Sequence, residues 1–153
     1  MISLKMAMTL AIPLAIALLI TFYLATLSYK TRHNRLKPPA ERHLIACPAK
    51  PNCVSSKSTE ESNAIEAFPL FENNKTQSRE KLLTAIKKIG GEILIDDDQY
   101  IHAVFTSSLF RFKDDFEAEI NDTQIDIRSA SRAGTSDLGQ NRKRVEKLRQ
   151  LYK

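Results

Sequence analysis

The sequence predicts an α+β fold, a small four-stranded antiparallel sheet covered by two helices, behind one N-terminal transmembrane helix. Three observations predict it. An uncharged apolar run fills Met6 to Leu27. Two stretches with apolar residues at helical spacing bracket the C-terminal half. Between them lie short alternating segments rich in β-branched and aromatic residues, separated by turn residues. The chain's 153 residues hold one ordinary domain and little else. The organisation reads as a transmembrane helix over 6–27, a basic membrane-proximal spacer over 28–46 and a globular domain over 47–153.

The first element, "MAMTLAIPLAIALLITFYLATL", carries no charge and three threonines. At about 1.5 Å per residue it reaches roughly 33 Å, enough for a bilayer core of about 30 Å. Pro13 is tolerable in a membrane helix. A cleaved signal peptide is the rival reading. The single Lys5 is a thin positive leader, the run is longer than usual for a signal, and no small-residue cleavage site follows. "LIAC", Leu44 to Cys47, resembles a lipoprotein cleavage box but lies too far beyond the run. An uncleaved, single-pass anchor in contact with membrane lipid fits better.

The net charge of +5 is misleading. Lys5, Lys30, Arg32, Arg35 and Lys37 all precede residue 41, and that segment has no acid. The remaining domain holds 18 basic against 18 acidic residues. A nucleic-acid binder carries its basic excess on the domain, so no nucleic-acid partner is expected. The basic cluster suits anionic headgroups, and it favours a cytoplasmic side for the domain.

The spacer from Ser28 to Ala46 contains "KPP" at Lys37 to Pro39 and is partly helical at most. Cys47 and Cys53 enclose two prolines that bend the loop, which suits a disulfide; a free thiol pair fits equally well. A disulfide would call for an oxidising compartment, against the charge signal. His43, Cys47 and Cys53 lack a fourth ligand for structural zinc, and neither metal nor cofactor is expected. "IEAFPLF" reads as an irregular or edge segment. The triplets at Asn74 and Asn121 that match glycosylation acceptors carry no weight alone.

"SREKLLTAIKKIGG" spaces Leu82, Leu83, Ile86 and Ile89 as a helix, stopped by Gly90-Gly91. "EILID", "YIHAVFT", "DDFEAEI" and "QIDIRS" are the four strands, with Phe116, Ala118 and Ile120 facing one side and acids the other. The last helix runs from about Leu138, its stripe formed by Leu138, Val145, Leu148 and Leu151. Strands joined by brief turns pair antiparallel, and the helices cover their apolar side.

The loop before that helix is the candidate site. Arg128 and Arg132 offer planar forks for carboxylate or phosphate, and Ser129, Ser131, Thr135 and Ser136 offer hydroxyls. Free N–H groups at the helix start attract anions. The competing structural reading has Ser136 or Asp137 capping the helix, Asn141 bracing the loop, and the arginines paired with Asp114, Asp115 or Glu117. Asp114 and Asp115 are adjacent, so a regular strand points them to opposite faces. His102 lies within a strand, where a lone histidine is more often structural.

Three segments carry a family resemblance: "CPAKPNCVSS", "YIHAVFTSSLFRFKDDFEAEI" and "IDIRSASRAGTSDLGQNRKRVEKLR". In this order, from Ala46 to Leu151, the chain resembles the bacterial and plastid family catalogued as domain of unknown function 1499. The matching positions are Cys47, Pro51, Asn52, Cys53, Ser55, Ser56, Asp114, Asp115 and Arg128 through Asn141. The expected setting is a bacterial inner membrane. The resemblance implies no catalytic residue, because the family has no assigned activity.

Two functional classes follow. One is a membrane-tethered domain that binds an anionic small molecule or a partner protein through Arg128, Ser129, Ser131, Arg132 and Asn141, with Asp114 or Asp115 close by. The other is a hydrolase using Asp115 and His102, with Arg128 and Arg132 stabilising developing negative charge. The inventory favours binding, since no nucleophile–base pair is visible. The expectation is that Arg128, Ser131, Arg132 and Asn141 converge at the start of the last helix.

Overall fold

The computed structural model describes residues 4–34 and 42–153. Helix α1, Leu4–His33, contains the apolar run and continues past Leu27 to His33. Its exposed apolar part gives way to a docked end, where Ser28 and Thr31 are buried. By length and composition, Ala11–His33 is apolar enough to cross a membrane. The "KPP" stretch of the expected spacer lies outside the described residues.

The domain has helices α2, Lys75–Lys88, and α3, Gln140–Tyr152. Its strands are β1, Cys53–Ser55; β2, Phe68–Pro69; β3, Glu92–Asp96; β4, Tyr100–Thr106; β5, Lys113–Ile120; and β6, Gln124–Ser131. All pair antiparallel in the order β1-β6-β5-β4-β3, with β2 also on β6. The α+β class stands, but the sheet has six strands where four were expected. The two additions are three and two residues long, too short to show an alternation. They form because β6 offers its free edge to chain arriving from the disulfide loop and from "AFPLF".

Helices α2 and α3 cover one face. Leu82 and Ile86 of α2 and Val145 and Leu148 of α3 pack there on Ile101, Phe116 and Ile127. Asn74 caps α2 by accepting from Gln77 N at 3.0 Å. After α2 the chain must turn sharply, and Gly90 does so at φ 84°. A Cβ on Gly91 would collide with Ile86 and would approach Phe105 Cζ to 2.8 Å. That contact fixes how closely the helix end lies on the sheet.

The last helix begins two residues later than expected. Leu138 therefore leaves the apolar stripe: it sits at φ 53° and is 83% exposed. Asp137 stops the helix from starting sooner by binding two donors beyond itself, Gly139 N at 3.0 Å and Asn141 N at 2.7 Å.

The opposite face of the sheet is also closed. The docked end of α1 packs on β5, and the main-chain N–H of Leu44 donates to Glu119 at 3.1 Å. Arg42 pairs with Asp97 at the β3–β4 turn. The chain therefore enters this face at one end of the sheet and is at the other end by Arg42. The acids of β5 lie beneath this cover rather than in water.

Candidate functional site

Alternation along β5 puts Asp115, Glu117 and Glu119 on the closed face. Register then selects their partners. Glu117 stands opposite Arg128 on β6, and Arg128 Nη1 donates to Glu117 Oε2 at 2.6 Å. The phenol of Tyr100, on β4, donates to Glu117 Oε1 at 2.5 Å. Burial, and then the hydrogen bond to Glu117 and its charge, push that phenol far above its ordinary value. One position along, Arg132 grips Asp115 with Nε at 2.8 Å and Nη2 at 2.7 Å, and His102 Nε2 lies 2.8 Å from Asp115 Oδ1. Burial alone would raise the Asp115 carboxyl, but the His102 and Arg132 contacts outweigh it and hold the carboxyl below its usual range. The side chains of His102, Asp115 and Arg132 are 2%, 5% and 5% exposed.

A second network occupies the helix-covered face. Asn141, fully buried in the first turn of α3, accepts from Ser129 Oγ at 2.7 Å and donates to Ser131 Oγ and to Asn52 O, each at 3.1 Å. Arg144 donates to Asn141 Oδ1 at 2.5 Å and to Asp114 Oδ2 at 2.6 Å, and its guanidinium lies 4.7 Å from the Phe105 ring centroid. Sequence reading passed over Arg144. Its signal was the spacing: three residues beyond Asn141 is the same helix face. Asn52 was also missed as a brace. Its carbonyl accepts from Ser131 N at 2.9 Å, and its amide donates to Gly134 O at 3.0 Å. Cys47 and Cys53, joined in a disulfide, hold the turn carrying Asn52.

The expected convergence is therefore divided between two faces. Ser129, Ser131 and Asn141 come together beside α3, with Asp114 linked through Arg144. Arg128, Arg132 and Asp115 lie across the sheet. Both arginines are paired with carboxylates, Arg132 through its fork and Arg128 through Nη1 alone, and two of the N–H groups at the start of α3 are taken by Asp137. Of the groups for the hydrolase reading, Asp115, His102 and Arg132 meet, whereas Arg128 serves Glu117. All are shut from solvent.

An opening does exist beside the loop. A cavity of about 240 Å³ lies between Leu27 and Thr31 of α1, Phe112 before β5, and Ser131, Gly134 and Leu138 of the loop. Its walls are mostly apolar. The carboxylates at its margin, Asp114 and Asp137, are committed to Arg144 and to main-chain donors.

Fold and site thus define a small α+β domain with two buried polar networks, attached to an apolar N-terminal helix. The chain belongs to the family described as protein of unknown function (DUF1499), whose pattern matches residues 43–151. No curated protein and no solved structure matches it.

Proposed function

We propose that this chain is a single-pass, membrane-anchored binding domain whose cleft takes the apolar part of an amphipathic small molecule. The observation that carries this reading is the composition of the cleft walls. One wall is the end of the apolar helix, at Leu27 and Thr31; the other is the loop from Ser131 to Leu138. A ligand in it would sit at the membrane surface, where lipid-like molecules are concentrated. Mostly apolar walls with a few hydroxyls suit an acyl chain or similar group.

An anionic ligand has less support, because Arg128 and Arg132 already serve Glu117 and Asp115. The hydrolase reading has less again, because its groups face no open cleft. For the membrane we propose a bacterial inner membrane, with the domain on its oxidising side. The basic flank opposes that orientation, but a Cys47–Cys53 disulfide persists only where thiols are not kept reduced.

The test is photo-crosslinking of the full chain in nanodiscs to a fatty acid bearing a diazirine on its acyl chain. Label should appear on the loop between Ser131 and Gln140 as well as on α1, and Ala133→Trp, which fills the cleft because Ala133 lines it, should remove the loop label. Label on α1 alone would overturn the reading. Thermal stabilisation by inorganic phosphate without loop labelling would return the ligand to the anionic class.

A further inference from the structure

Among the described residues of the domain, three large apolar side chains stand exposed: Leu94, Leu109 and Leu138. Leu94 is on the edge strand β3. The other two occupy different loops at one end of the sheet. Leu109, 77% exposed, tips the turn between β4 and β5, and Leu138, 83% exposed, tips the loop before α3. Both loops contribute walls to the cleft that Leu27 closes, so both flank the point where α1 leaves the domain. Tyr23, exposed one turn before Leu27 and about 6 Å along the helix, is a residue type enriched where a span meets water.

The two tips resemble each other in backbone as well. Leu138 has φ 53°, and Arg111, two residues after Leu109, has φ 57°. The left-handed region is unfavourable for side chains of this size. At Leu138 it turns an apolar side chain outward instead of into the core. Cations gather at the same end. Arg111 is exposed, and Lys143 and Lys147 border a second cleft with Ser107 and Ser108 of the β4–β5 turn. Of the acids at this end, Asp114 pairs with Arg144, and Asp137 accepts from the main-chain N–H groups of Gly139 and Asn141.

We propose that this end of the domain is a membrane-docking surface. Leu109 and Leu138 enter the boundary between headgroups and acyl chains of the bilayer that α1 crosses, and Arg111, Lys143 and Lys147 face anionic headgroups. The proposal rests on α1 being the anchor. Apolar tips of this kind gain the free energy of removing leucine from water, and nearby cations add attraction to anionic lipid. The anchor holds them at the surface, so even weak insertion suffices to fix the domain's orientation and to direct the cleft toward lipid.

The chain contains no tryptophan, so single substitutions report cleanly. The experiment reconstitutes the full chain in vesicles of phosphatidylcholine and phosphatidylglycerol, with phosphatidylcholine brominated in the upper acyl chain as quencher. Four variants are compared: Leu109→Trp, Leu138→Trp, Leu94→Trp, and Ile16→Trp within α1. The first two should emit at shorter wavelength than Leu94→Trp and lose most of their emission to the quencher, while Leu94→Trp stays bright. Ile16→Trp should be quenched throughout. Quenching at position 16 but at only one or neither of 109 and 138 would overturn the docking surface and leave the anchor standing. No quenching at position 16 would overturn the anchor and the proposal together. Equal quenching at position 94 would mean that the domain lies on the bilayer by another face. Without phosphatidylglycerol, quenching at 109 and 138 should weaken while that at 16 persists; no change would remove the cations from the surface.

Discussion

Arg132 holds Asp115 by two nearly parallel hydrogen bonds, at 2.8 and 2.7 Å, beneath the cover on the face away from α2 and α3. This geometry makes Arg132 a structural residue in the first instance. Removing the guanidinium leaves a buried carboxylate with only His102 beside it. Arg132→Ala should therefore cost about 3–5 kcal/mol, read as a drop in the denaturant midpoint at constant slope. A loss below about 1 kcal/mol would mean that the pair is dispensable and would return Arg132 to the pool of ligand-binding residues.

The same pair predicts a response to acid. The folded Asp115 carboxyl lies below its ordinary value, so its contribution is present above the unfolded value, about pH 4, and is lost as pH falls through the folded one. Denaturant midpoints measured from neutral pH downward should fall below about pH 4. Asp115→Asn should start less stable and lack that part of the decline. Parallel curves for the two proteins would contradict the assignment.

Asn141 makes its hydrogen bonds with no exposure to water. Replacing it with alanine would leave Ser129, Ser131 and Asn52 short of partners, at a cost of about 1–3 kcal/mol. Because the same residue steadies the loop, hydrogen exchange at Ser131 to Gly134 should accelerate more than exchange in α2. Uniform acceleration would show that Asn141 matters to global stability alone.

Gly91 tests packing rather than polarity. A methyl group there meets Ile86 and Phe105, so Gly91→Ala should destabilise by about 1–3 kcal/mol. The melting temperature reads it directly. Gly90→Ala would act differently, through the positive φ alone, since nothing lies near its Cβ position.

The disulfide carries a topological prediction. A reporter active only outside the cytoplasm, fused after Lys153, should be active, and Cys47 and Cys53 should resist alkylation until reduced. Replacing both cysteines with serine should cost about 2 kcal/mol in the chain-entropy description of so short a loop. An inactive reporter with freely alkylated thiols would place the domain in the cytoplasm, as the basic flank suggests.

The sequence by itself determined the α+β class, the apolar helix, both amphipathic helices and four of the strands, because each signal is a local periodicity. It also placed Asp114 and Asp115 on opposite faces, since a pleated strand leaves no alternative. Cys53–Ser55 and Phe68–Pro69 were beyond its reach: so few residues become strands only because β6 has an edge to offer. The partners of the arginines were equally out of reach. With 18 acids in the chain, composition permits many pairings, and only strand register sets Arg128 opposite Glu117 and brings Arg132 to Asp115. Leu138 points outward for a nearer reason, the hydrogen bonds from Gly139 and Asn141 to Asp137 that delay the helix start. The tertiary structure likewise decided that the acidic face is closed, which depends on where distant segments come to rest and which no local pattern encodes.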